Sequence, residues 1–116
     1  MKQTFDYLEN VPNIAAIVCD KEGIVLYQNA VARQRDGEVI GKNLYNCHSP
    51  KSGEKIRMMM QTGMSNSYGV ISHGKHYFVQ HTPWFKEPGG ELSGLIELDI
   101  EIPETHPTFN RDKEEG

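Results

Sequence analysis

The segment from Leu92 to Ile102 alternates between two kinds of side chain, and that period of two constrains the fold more than any other stretch. Leu92, Gly94, Ile96, Leu98, Ile100 and Ile102 fall on one side, while Ser93, Glu97, Asp99 and Glu101 fall on the other, with Leu95 as the exception. Successive side chains of a strand point to opposite faces, so the pattern predicts a strand with one buried apolar face and one wet acidic face. Such a strand belongs in an antiparallel sheet, and its partners lie upstream.

Ile14 to Cys19 is a short apolar run of strand length, partly β-branched. Asp20-Lys21-Glu22-Gly23 reads as a turn in which Gly23 supplies a positive φ, and Ile24 to Tyr27 reads as the return strand of a hairpin. Asn29 is placed to cap a short helix that follows it. Ser49-Pro50 then opens a longer helix to about Thr62, because serine caps and proline is tolerated at the first helical position. Ile56, Met59, Met60 and Gly63 stand at i, i+3, i+4 and i+7 as its inward stripe, with Gly63 as the stop. Ser67 to Ser72 and His76 to Thr82 are strands joined through His73-Gly74-Lys75, and Pro83 is expected to end the second. Near the start, Phe5, Leu8 and Val11 share one side of a short helix from Thr4 that Pro12 ends. The expectation is an α+β fold: a five-stranded antiparallel sheet with short helices and one longer helix on one face.

At 116 residues and net charge -4 the chain fits a single domain. It divides into an N-terminal helical or dimerisation segment over residues 1–12, a folded unit over 13–102 and a polar tail over 103–116. Without a basic stripe it is not expected to bind nucleic acid. No apolar run suits a bilayer and no secretory core follows Met1, so a cytoplasmic protein without membrane contact is expected. Cys19 and Cys47 are too few for a disulfide scaffold and read as reduced thiols.

The order of elements, together with particular residues, resembles a PAS domain from about Asn13 to Ile102. The resemblance is carried by Asp20-Lys21-Glu22-Gly23-Ile24 followed by Asn29-Ala30, by Val39-Ile40-Gly41-Lys42, by Pro83 closing the fourth strand, and by Gly94-Leu95-Ile96-Glu97-Leu98-Asp99-Ile100. Cys47-His48-Ser49-Pro50-Lys51-Ser52 is similar to a Cys-His-Pro-Pro-Lys-Ser block of a PAS subgroup that often accompanies hemerythrin-like domains, with Ser49 in place of a proline. The resemblance implies a cupped sheet whose concave face can hold a small ligand, and a sensory role relayed to partner or effector domains such as a kinase or transcription regulator. It also implies a homodimer through the segment before the first strand, here Phe5, Leu8 and Val11.

A cup in so small a domain must be filled. An empty void of ~200 Å³ costs roughly 5 kcal/mol, and a small domain is stable by only about 5–15 kcal/mol. Met58, Met59, Met60 and Met64 suit either answer, since thioethers adapt both to irregular core gaps and to irregular guests. The residues expected to line the concave face are Tyr45, Cys47, His48, Ile56, Met59, Met60, Tyr68, Val79, His81, Ile96 and Leu98, and a one-residue slip in register exchanges strand members for their neighbours.

Metal, haem, flavin and nucleophilic chemistry each lack residues they need. Zinc needs about four ligands at short paired spacings. Cys47 and His48 are adjacent, and His76 and His81 are five apart on a strand and so face opposite ways. Haem-binding PAS domains commonly draw the axial histidine from the long helix. None is present there, so Met58, Met59, Met60 or His81 would have to serve. Flavin sensors of this fold carry Arg-Phe-Leu-Gln after their cysteine, where this chain has His48-Ser49-Pro50-Lys51. No base held by a third group can be named beside Cys47, so no catalysis is expected. The reading is a non-catalytic sensory module binding a small organic ligand of unknown identity, with a ligand-free dimerisation scaffold as the alternative and a haem sensor behind both. Met1 stands just before the first helix and the chain ends soon after the last strand, so action by docking to others, or as the front of a longer regulator, is expected.

Overall fold

A computed structural model describes residues 7–44 and 50–113 of the chain. Five strands form one antiparallel sheet in the order β2-β1-β5-β4-β3: β1 Ile14–Asp20, β2 Val25–Gln28, β3 Asn66–Ser72, β4 Lys75–Phe85 and β5 Leu92–Ile102. Two helices, α1 Ala30–Asp36 and α2 Pro50–Thr62, lie between β2 and β3 in sequence. The expected α+β architecture is present. No helix among the described residues is long and apolar enough to cross a membrane.

Local chemistry explains the turns. Asp20 Oδ1 accepts from the backbone N–H groups of Glu22 and Ile24, and Gly23 at φ 88° completes the β1–β2 reversal. The β3–β4 hairpin closes in two residues, His73 and Gly74, both at positive φ (52° and 76°), the geometry that matches strand twist. Asn29 caps α1 by accepting from Ala32 N–H, and Gly63 at φ 70° stops α2.

The strand expected to stop at Pro83 runs on to Phe85. β3 begins at Asn66, opposite His81, so beyond Thr82 the β4 strand has β5 alone as its neighbour. Proline is tolerated on such an edge because no ladder bond is lost there.

Ala15, Ile17 and Cys19 of β1, Val25, Ala32, Leu44, Ile56, Met59 and Leu95 form one buried cluster between the helices and the sheet. Register then fixes which face of β5 is covered. Cys19 pairs with Leu95, Ile17 with Glu97 and Ala15 with Asp99. The helices therefore cover the acidic face of β5, and the stripe of Ile96, Leu98 and Ile100 lies on the outer face beside Ile14, Ala16 and Val18. This reverses the expected orientation of that strand.

Before β1, residues 7–9 form a helical turn. Leu8 and Val11 are half-buried against the chain's own body, where Leu8 C=O accepts from Asn29 Nδ2 and Glu9 pairs with Arg33. Phe5 lies outside the described residues.

Candidate functional site

The inner face of β3, β4 and β5 is built in cross-strand rows. One row joins Asn66, His81 and Glu97, and the next joins Tyr68, Val79 and Asp99. α2 crosses above with Ile56 and Met59 turned inward, 1% and 6% exposed. Between them lies a cavity of about 320 Å³ lined by Lys55, Ile56, Met59, Asn66, Tyr68 and His81. Its volume is at the lower end of the range of roughly 300–1,000 Å³ spanned by small-molecule pockets.

His81 is the polar centre of this cup. It is 7% exposed, and the Tyr68 ring meets it edge-on at 5.8 Å between centroids. Its Nε2 lies 3.3 Å from Glu97 Oε1. Its Nδ1 is buried and has no hydrogen-bond partner among the described residues. Two positions along β5, Asp99 is bound by Arg35 of α1 at 2.7 Å. Burial pushes the Asp99 carboxyl up to about 6, the Glu97 charge beside it adds to the rise, and Arg35 opposes it. Burial, with help from the Glu97 and Asp99 charges, also raises the Tyr68 phenol. Asp99 and Arg35 line a separate hollow beside β1 and α1, and the charged residue that lines the cavity itself is Lys55.

Of the residues expected from sequence, Ile56, Met59, Tyr68 and His81 come together around the cavity, and Val79 is buried in the adjoining row. Met60 lies in a separate surface hollow with Arg57 and Leu92. Ile96 and Leu98 pair across from Thr82 and Gln80 on the outer face and do not line the cavity. Met58 and Met64 are exposed. Tyr45, Cys47 and His48 lie outside the described residues, as does most of the block around them. Sequence reasoning missed Asn66 on the cavity wall and the covering of the Glu97 and Asp99 face of β5 by the helices. One signal was available: Leu95, the lone apolar residue on the acidic side, is 2% exposed and marks the covered face.

The three histidines on β3, β4 and their turn do not converge. His73 is in the turn, His76 pairs with Ile71 and Ile102, and only His81 faces the cup. Among the described residues no group of three or more His, Cys, Asp or Glu is placed to hold a metal ion. Met59 and His81, two of the named alternative haem ligands, both border the cavity. Cys19 is fully buried in the core, and burial pushes its thiol up to about 11, which leaves it a poor nucleophile.

No protein-family model matches the chain, and no curated protein matches it by sequence. Solved structures do. The PAS domain of the histidine kinase ThkA matches with a TM-score of 0.64 at 18% identity, over 76% of this chain and 98% of that one. The PAS domain of Bordetella pertussis BvgS matches at 0.63 and 24% identity, over 89% of this chain and 86% of that one. VqmA bound to DPO matches at 0.65 and 15% identity, over 90% of this chain and 58% of that one. The fold is the PAS fold.

Proposed function

We propose that this chain is a non-catalytic sensory module that binds a small organic ligand between α2 and the inner face of β3–β5, and relays its presence through dimer or partner contacts in the cytoplasm. The observation that carries the reading is the cavity of about 320 Å³ beneath α2, lined by Ile56, Met59, Tyr68 and His81 among others. A concave pocket of that size with apolar walls and a few polar groups is where a small guest is held. Ile56, Met59, Tyr68 and Val79 supply the apolar contact around it. In this reading Tyr45, Cys47 and His48 complete the site, residues 13–102 form the sensor, residues 1–12 supply the dimer segment with Phe5, Leu8 and Val11, and residues 103–116 are the tail.

The structural neighbours include the PAS domain of a histidine kinase and a VqmA solved in complex with ligand and DNA, which supports a kinase or transcription regulator as the effector. A ligand-free interaction scaffold is the second reading. It is favoured by the apolar outer face, where Phe78 is 40% exposed beside Ile100.

Native mass spectrometry of the purified chain separates the two. A retained small molecule, or a thermal shift on adding one, supports sensing, since a ligand at ~100 times its Kd stabilises by about 2.7 kcal/mol. A bare dimer that no library compound stabilises overturns it in favour of the scaffold.

A further inference from the structure

We infer that the β3 edge of the sheet is a self-association surface, on which a second copy of this chain adds its own β3 in antiparallel register about a twofold axis at Gly69. The inference does not depend on the ligand reading, and it names a surface other than the dimer segment over residues 1–12.

The two edges of the sheet differ. β2, at one end, is four residues long, and its pairing with β1 is broken by a register shift. The chain also folds back along it: Val25 N–H donates to Lys42 C=O, and Gly41 N–H donates to Val25 C=O. β3, at the other end, is seven residues long and pairs with β4 without a register shift. It holds no charged residue and no proline, and residues 67–71 are all exposed. Sheets ordinarily blunt such an edge with a charge, a proline, a bulge or a covering loop, because its free backbone groups template another strand. Among the described residues β4 is the one strand beside it.

Register identifies the partner strand as another β3. The hairpin closes through the two-residue turn His73-Gly74, which makes Ser72 and Lys75 a bonded pair. Bonded and non-bonded pairs alternate along an antiparallel ladder, so the N–H and C=O groups of Ser67, Gly69 and Ile71 point away from β4. These three residues are spaced evenly about Gly69. A second β3 running antiparallel therefore sets Ser67 against Ile71 of the other copy on both sides of a Gly69–Gly69 pair, and every outward group meets its complement. The side chains suit that register. Tyr68 and Val70, both exposed, meet across the axis as an aromatic and a β-branched residue. On the outer face Phe78 stands opposite Gly69, where two bare glycines leave room for its ring, and Ile71, 70% exposed, gains cover beside it. With no charge on either strand, two copies meet there without repulsion.

An interface of one strand is small, so weak association with a Kd of about 0.1 mM is expected. Amide hydrogen exchange of the full wild-type chain is followed by NMR below and above that concentration. The amides of Ser67, Gly69 and Ile71 should slow by about fivefold as the chain is concentrated, since only association protects them. Gly69 has room for a side chain: the nearest atom that a Cβ there would meet is the Tyr77 carbonyl oxygen, at 3.8 Å. Gly69→Lys and Gly69→Glu each set like charges directly opposite across the axis. Each should weaken association in sedimentation velocity by about fivefold, and an equimolar mixture of the two should return to within about twofold of wild type. Circular dichroism checks the fold of each variant. A chain that stays monomeric, or one that associates without protecting the three amides, overturns the inference. Association that neither variant weakens, or that the mixture fails to restore, belongs to another surface and overturns it as well. The exchange measurement decides the matter even if the variants do not fold.

Discussion

The indole Nε1 of Trp84 donates to the backbone carbonyl of Cys19 at 2.9 Å, reaching across β5 at Gly94. A Cβ at Gly94 would lie 1.9 Å from that carbonyl oxygen and 2.5 Å from the indole nitrogen. Gly94 is what allows three strands to be tied by one side chain. Gly94→Ala is therefore expected to destabilise the domain by about 3 kcal/mol in urea unfolding, from forced displacement of backbone in a packed region. Trp84→Phe loses the bond, for about 1 kcal/mol. A neutral Gly94→Ala would show that the close approach is not maintained.

Asn29 does more than cap α1. Fully buried, it accepts through Oδ1 from the N–H groups of Ala16 and Ala32, and donates through Nδ2 to the carbonyls of Leu8 and Ile14. One amide thus binds the N-terminal segment, β1 and α1 together. Asn29→Ala strands several buried backbone groups at once, so its cost should exceed the ~1 kcal/mol typical of a lost cap and reach about 3 kcal/mol. Asn29→Asp keeps the two acceptor bonds and loses the two donor bonds, so it should also destabilise. A loss of only ~1 kcal/mol for Asn29→Ala would reduce Asn29 to a simple cap.

Local signals were legible in the sequence because they act over a few residues. Asn29 reads as a cap, Gly23 and Gly63 as positive-φ stops, His73-Gly74 as a two-residue turn, and Ile56 with Met59 as the inner stripe of α2, and each is found so. What could not be read is which side of a strand the helices cover. Period two assigns Glu97 and Asp99 to one face of β5 and Ile96 and Leu98 to the other, and it is silent on which faces α2. Register with β1 decides it, since Cys19 and Ile17 must meet Leu95 and Glu97. Pro83 misled for a related reason. Proline ends a strand only where its N–H is needed, and beside it β3 has already stopped.

Ile56 is 1% exposed and touches both the core and the cavity. Ile56→Ala should cost about 2–4 kcal/mol through lost burial and an enlarged void. Met58, in the same helix and 59% exposed, should tolerate alanine within about 0.5 kcal/mol. Guanidinium unfolding of the pair checks which face of α2 packs on the sheet. A larger loss for Met58→Ala would mean that the helix is rotated about its axis.

The carboxyl pair on β5 gives stability an unusual dependence on pH. Acids paired with cations usually titrate lower when folded, so their contribution is lost as pH falls. Asp99 behaves oppositely. Its carboxyl sits at about 6 in the folded chain, raised by burial and by Glu97 against the pull of Arg35, whereas an unfolded aspartate titrates near ~3.9. Between those values the folded state binds more protons than the unfolded chain, so the Asp99 contribution to stability is full below pH ~4 and declines as pH rises towards about 6. The decline is on the order of 2 kcal/mol, and it is superimposed on the titration of every other group. Asp99→Asn keeps the shape and abolishes the titration. Comparing the two proteins by urea unfolding from pH 4 to pH 7, the variant should gain about 2 kcal/mol on the wild type across that interval. A constant difference between the two would place no raised carboxyl at Asp99.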